Sequence, residues 1–134
     1  MAGMTDLDQL LRSMSPKLMS DEFAFCTVSG SLFEYIELNP IATFAESEGL
    51  TLILEKSIAE KKNLSFEGTY RQITLTVHSS LDAVGLTAAV ANKLAIKGIS
   101  ANVIAAYYHD HIFVQTHKAD AAILALKEFN VQDK

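Results

Sequence analysis

A chain of 134 residues, 49% hydrophobic and 20% charged, forms one globular domain or two small halves sharing a core; this balance is not that of a disordered chain. The net charge of −5, from 11 basic and 16 acidic residues, argues against nucleic-acid binding, and the nearest thing to a basic run is Lys61-Lys62. The one cysteine, Cys26, permits no intrachain disulfide, and within the apolar run FAFCTV it reads as a buried core thiol rather than a nucleophile.

The longest stretch without a formal charge, Gly98 to His109, has 12 residues and is too short to span a bilayer. The acidic start MAGMTDLDQLL lacks the basic and apolar regions of a signal peptide, so the expected location is cytoplasmic, with no membrane partner.

Thr5 to Ser13 predicts a helix, with Thr5 as cap, acids in the first turn and Leu7, Leu10, Leu11 and Met14 at helical spacing. Ser15-Pro16 ends it. Phe23 to Val28 and Leu32 to Glu37 predict strands, joined as a hairpin through Ser29-Gly30-Ser31. Asn39-Pro40 then reads as the start of a helix, with Ile41, Phe44 and Ala45 on its inner face and Gly49 at its end. Leu50 to Leu54 is a short apolar strand. Glu55 to Asn63 reads as an exposed turn or linker, the expected boundary between an N-terminal half, 1–62, and a C-terminal half, 63–134.

The second half repeats the logic. Leu64 to Thr69 reads as an extended lead-in. Gln72 to Val77 alternates Ile73, Leu75 and Val77 against Gln72, Thr74 and Thr76, a strand with one buried face. The loop HSSLD leads into a helix that starts near Asp82 or Ala83 and stops at Gly98. The near-continuous apolar run within Ser100 to Tyr107 predicts a strand covered on both faces. His109-Asp110 forms a turn before the strand His111 to Thr116, and Asp120 to Phe129 is a helix with Ala121, Leu124, Ala125 and Glu128 on one face, which Ile123 and Leu126 widen. The resulting class is α+β, with ferredoxin-like units that set helices on one face of an antiparallel sheet. Neither half shows all four strands; the missing one comes from the other half or from a second subunit.

The second half, Ile73 to Phe129, resembles an ACT domain, the regulatory βαββα(β) module that binds amino acids. The resemblance rests on the strand-end loop Ser80-Leu81-Asp82-Ala83-Val84-Gly85, an acidic residue followed shortly by glycine, with Val84 where the family commonly has proline. The run ISANVIAAYYHDHIFVQTHKADAAILAL is similar to small paired-ACT proteins of bacteria that carry no catalytic domain, and to the ACT segments of aspartate kinases and arginine sensors. The first half resembles the less recognisable companion half of those proteins.

A helix start has unpaired N–H groups and a partial positive charge, and so suits a carboxylate or phosphate. The resemblance implies a ligand site at Ser79, Ser80, Leu81, Asp82, Ala83, Val84 and Gly85, with Asp82 taking an amino group and Gly85 allowing close approach. Asp82 reads equally well as a first-turn acid, and Ser79 and Ser80 as ordinary cap residues. It also implies a site at a subunit or domain interface. His109, Asp110, His111 and His117 read as a solvated turn and strand rather than a metal site, and no cofactor is expected. No catalytic motif is present: Ser79 and Ser80 lack the G-x-S-x-G turn, and Glu46 and Glu48 lie two apart on the expected helix. The expectation is a non-catalytic regulatory protein that binds an amino acid or similar zwitterion and forms a homodimer. The alternative is a protein-interaction module with a vestigial ligand loop. A weaker third is an enzyme that uses His78 and Asp82 as acid and base.

Overall fold

The computed structural model describes residues 7–76 and 85–130. The chain forms two compact units, one of Met1–Ser20 with Arg71–Lys134, the other of Asp21–Tyr70. Helix α1, Leu7–Ser13, ends before Pro16, where the 13-residue strand β1, Pro16–Val28, begins.

In the Asp21–Tyr70 unit the remaining elements are α2 (Leu32–Tyr35), a 3₁₀ turn (Ile36–Leu38), β2 (Ala42–Glu46), β3 (Gly49–Glu55) and α3 (Lys56–Lys61). Its strands lie in the order β2-β3-β1, all antiparallel. Strand β3 thus lies between β1 and β2, the two strands that α2 connects. This is a split β-α-β unit rather than a hairpin. Leu52 and Leu54 of β3, Ala24 and Cys26 of β1 and Ala59 of α3 form its core.

Three expectations fail here for local reasons. Leu32–Glu37 is helical, not a strand: Gly30 has φ 117°, and Glu34, three residues after Ser31, accepts the Ser31 N–H at 2.8 Å. That reciprocal cap outweighs the alternation of Leu32, Glu34 and Ile36. Asn39 ends a helical turn instead of starting one. It is left-handed, φ 52°, and its N–H reaches Ile36 O at 3.1 Å. The following segment is therefore free to pair as β2, with Ala42 opposite Ile53 and Glu46 opposite Gly49. Lys56–Lys61 is a helix rather than a linker. It buries Ala59 and closes with a Schellman motif in which left-handed Asn63 donates to Glu60 O and Leu64 to Ala59 O.

The other unit holds α1, residues 16–20 of β1, β4 (Tyr70–Leu75, from Arg71 on), α4 (Leu86–Ile96), β5 (Asn102–Ala105), β6 (Asp110–Gln115), a 3₁₀ turn (Thr116–Lys118), α5 (Ala119–Lys127) and a last 3₁₀ turn (Glu128–Asn130). The order is β1-β4-β6-β5, with β6 between the two strands that α4 connects, the same split unit. The fourth strand of the second half is thus the start of β1. Thr76 donates through N and Oγ1 to Ser15 O at 3.0 and 2.6 Å, and Arg71 donates to Met19 O at 2.9 and 2.6 Å, which sets β1 and β4 antiparallel. Leu10 and Met14, Ile73 and Leu75, Ile112 and Val114 meet the inner faces of α4 and α5.

Helix α4 stops as expected at Gly98. This residue is left-handed, φ 74°, and donates to Ala95 O while Ile99 donates to Leu94 O. Three faces differ from expectation. Helix α5 buries Ala122, Ala125 and Leu126 and exposes Leu124. Strand β5 is the outer strand, only half covered at Val103 and Ile104, rather than covered on both faces. Strand β4 is buried on both faces, because Gln72 and Thr74 are only 7% and 8% exposed. No helix among the described residues is long and apolar enough to cross a membrane.

Candidate functional site

Strand β4 delivers the chain to the expected ligand loop and α4 receives it. Ser79, Ser80, Leu81, Asp82, Ala83 and Val84, together with His78, lie outside the described residues. Gly85 is described and caps α4 with φ 97° and ψ −14°. An L side chain is strained in that left-handed geometry, and a Cβ there would stand 3.1 Å from Leu7 Cδ2. The Gly85 carbonyl accepts from Ala89 N at 2.9 Å, which starts the helix ladder. The first N–H groups of α4 have no partner within the helix, as at any helix start. Leu86, Val90 and Leu94, at i, i+4 and i+8, seat α4 on the core and hold that start in place.

The corresponding strand-to-helix loop of the Asp21–Tyr70 unit is Ser29-Gly30-Ser31, ahead of α2. Here the chain closes the helix start itself. The Glu34 carboxylate accepts the Ser31 N–H, and Tyr35 Oη donates to Ser29 O at 2.7 Å. A Cβ on Gly30 would collide with Glu34 Oε2 at 2.0 Å, so glycine lets the carboxylate fold back. Beside this loop lies a cleft of about 570 Å³, walled by Leu32, by Thr43 and Ala45 of β2 and by the turn Glu46–Gly49. Its acids are engaged: Thr51 Oγ1 donates to Glu46 Oε1 at 2.6 Å and Ser47 Oγ to Glu48 Oε1 at 3.0 Å. Glu46 and Glu48 thus sit at a strand end and turn, not on a helix.

A second polar cluster escaped the sequence reading. His111 Nδ1 lies 3.1 Å from Gln72 Nε2 and 3.0 Å from Thr74 Oγ1, and Gln72 Nε2 donates to Thr74 Oγ1 at 3.1 Å. The even spacing of Gln72 and Thr74 marked a shared face; nothing in the sequence marked that face as buried. Burial first, then His109, lowers the His111 pKa, with Asp110 opposing. Burial raises that of Asp110 against the pull of both histidines. Among the described residues no group of three or more His, Cys, Asp or Glu gathers for a metal ion. His117 is exposed. Cys26 is buried in its core, which raises its thiol pKa.

One ACT domain family model matches residues 2–71 and a second matches residues 67–128. The chain belongs to the ACT domain family. A solved protein of unknown function from Vibrio cholerae, described as a possible transport protein, is 59% identical, with 93% of this chain and 96% of that one covered and a TM-score of 0.88. A protein from Agrobacterium tumefaciens shares the fold at 12% identity, covering 87% and 89% of the two chains with a TM-score of 0.70. The ligand-free regulatory subunit of aspartate kinase from Thermus thermophilus shares it at 10% identity, covering 84% and 95%, with a TM-score of 0.60. A search of curated proteins finds no match. The family is one of regulatory, ligand-binding domains, and both halves of this ACT chain carry its split β-α-β core.

Proposed function

We propose that this ACT protein is a non-catalytic, cytoplasmic regulator that works as a homodimer and binds an amino acid or similar small zwitterion at Ser79–Gly85. The observation that carries the reading is the left-handed Gly85 at the start of α4, the element that follows β4 in the chain. The ligand carboxylate takes the free N–H groups of α4 and Asp82 takes the amino group. Regulation follows if the ligand favours one packing of the protein over another. The boundary between functional halves falls near residue 62 in this reading.

The competing reading is a protein-interaction module. It draws on the loop Ser29–Ser31, whose helix start is already filled by Glu34. A thermal-shift screen of the twenty amino acids separates the two. A ligand at about 100 times its dissociation constant stabilises by about 2.7 kcal/mol. Under the sensor reading at least one amino acid raises the melting temperature, and Asp82→Ala removes that rise without lowering the unliganded melting temperature. A rise that survives Asp82→Ala moves the site elsewhere, and no rise with any amino acid leaves the interaction module standing.

A further inference from the structure

Helix α1 has seven residues, too few to stand alone in water, so its neighbours decide whether it stays in place. Leu10 and Met14, one turn apart, are fully covered by the core, and Leu7 and Leu11 pack against it. Both ends of the helix are fastened as well, and both fastenings lead to α4.

The first end meets the start of α4. A Cβ built on Gly85 would find three atoms of Leu7 as its nearest neighbours, Cδ2 at 3.1 Å, Cδ1 at 3.7 Å and Cγ at 3.9 Å. Leu7 thus lies over the side of Gly85 that a side chain would occupy, and glycine there lets α1 approach closely. The second end is capped from far along the chain. The last carbonyls of a helix have no partner within it, and Pro16 keeps α1 from continuing. Asn130 supplies the missing donor: its Nδ2 donates to Met14 O at 2.5 Å, to Arg12 O at 3.0 Å and to Leu11 O at 3.3 Å.

Asn130 is held in turn. It closes the 3₁₀ turn Glu128–Asn130, where Glu128 Oε1 lies 2.7 Å from Lys93 Nζ and Oε2 lies 3.6 Å from Lys97 Nζ. The Phe129 ring adds a contact with Lys93 Nζ, 5.3 Å from its centroid. The circuit is closed: α1 reaches the start of α4 through Leu7, and the end of α4 through Asn130 and Glu128. Neither fastening is strong. One is a single leucine, and the other depends on ion pairs whose Glu128 and Lys97 side chains are nearly half exposed, which water and salt weaken. Helix α4 keeps its own seat through Leu86, Val90 and Leu94 when α1 lifts.

We propose that α1 is a releasable strap across the start of α4, lashed by Asn130, and that its lifting bares the Gly85 side of that start. The inference rests on the reading of the α4 start as the ligand site and gives that site its regulation. Strap seated and strap lifted are two states that a ligand at the helix start tells apart, so occupancy and the position of α1 are linked.

Native-state hydrogen exchange of the full chain at constant pH tests the strap without any ligand. Met14 N donates to Leu10 O and reports on α1; Ala89 N donates to Gly85 O and reports on the start of α4. Asn130→Ala is expected to speed exchange at both by about tenfold and to leave the amides of β6 unchanged. A rise at Met14 without one at Ala89 separates α1 from the α4 start and overturns the strap. An equal rise in β6 means that the whole unit opens, and overturns it too. If circular dichroism shows Asn130→Ala unfolded, Glu128→Gln loosens the same lashing at an exposed ion pair and is expected to speed Met14 and Ala89 about twofold. The screen of the twenty amino acids, repeated on Asn130→Ala, then reads the regulation. An amino acid that stabilises wild type is expected to bind the variant about tenfold more tightly, because the lifted state is that much more populated. Equal or weaker binding overturns the regulatory role. No shift in either protein fails the ligand reading alone, and the exchange result still decides the strap.

Discussion

The starts of α2 and α4 occupy the same place in two copies of one plan, each leading from the first strand of a split β-α-β unit. They are built by different means. Helix α4 runs for eleven residues and stands on the core through Leu86, Val90 and Leu94. Helix α2 runs for four residues, buries none of its side chains, and is held by the Glu34 cap. A helix seated on a core can keep its first N–H groups for an outside anion, because packing and not the cap fixes its start. A one-turn helix has no such support, and here its own carboxylate holds the N-terminal group. The two helix starts thus differ in what fixes them: packing on the core for α4, and a side-chain cap for α2.

The largest effect comes from removing what seats α4. Leu94→Ala empties a site with no exposed surface and is expected to cost about 2–5 kcal/mol in denaturant unfolding. A cost under about 1 kcal/mol would mean that α4 is not seated as described. A smaller effect tests the helix start itself. Gly85→Ala and Gly98→Ala both force an L residue into a left-handed position, at φ 97° and 74°. Each is expected to cost about 1 kcal/mol. At Gly98 nothing lies within 4 Å of the new Cβ, whereas at Gly85 Leu7 Cδ2 lies at 3.1 Å. Gly85→Ala is therefore the more costly of the pair. Equal melting temperatures for the two variants would show that Leu7 yields freely and that glycine at 85 answers only to backbone conformation.

The elements with a strong period and clear ends were legible. Strand β3, the existence of strand β4 and the stop of α4 at Gly98 followed from hydrophobic pattern and cap chemistry. The segment 30–46 was not, because short windows support both periods. Leu32, Glu34 and Ile36 alternate like a strand, while Ser31 and Glu34 form a cap. Ile41, Phe44 and Ala45 fall at helical spacing, yet Phe44 and Ala45 pair in β2 and Ile41 leads into it. Asn39-Pro40 has the letters of a helix start, but the left-handed φ of Asn39 makes it an end. Of the expected ligand loop only Gly85 is described, and it has the conformation that calls for glycine. The His111 cluster was hidden for another reason. Period two tells which residues share a face, and only tertiary structure tells whether that face is covered.

That cluster gives the smallest and most pH-dependent effect, and it sets β4 apart from the other strands. With the Gln72 amide nitrogen facing it, His111 Nδ1 is the acceptor, and the ring proton sits on Nε2. Protonation would put a donor against a donor in a site where Gln72 and Thr74 are already shielded from water. The folded pKa of His111 is lowered from 6.5, so in the window below 6.5 the unfolded chain binds more protons than the folded one. Stability therefore rises with pH through that window and is lost as pH falls through 6.5 toward the folded value. Asp110 has the opposite sign: its raised pKa makes stability fall as pH climbs from 3.8 toward its folded value, so the two trends oppose each other only at the acid end. Urea unfolding from pH 7.5 down to 5.5 reads the histidine. Wild type is expected to lose stability relative to His111→Asn, which has no titrating ring at position 111, and Asp110→Asn is expected to leave that loss in place. Parallel curves for wild type and His111→Asn would show that His111 takes up its proton in the folded protein without strain, and that the contacts with Gln72 and Thr74 do not hold it neutral.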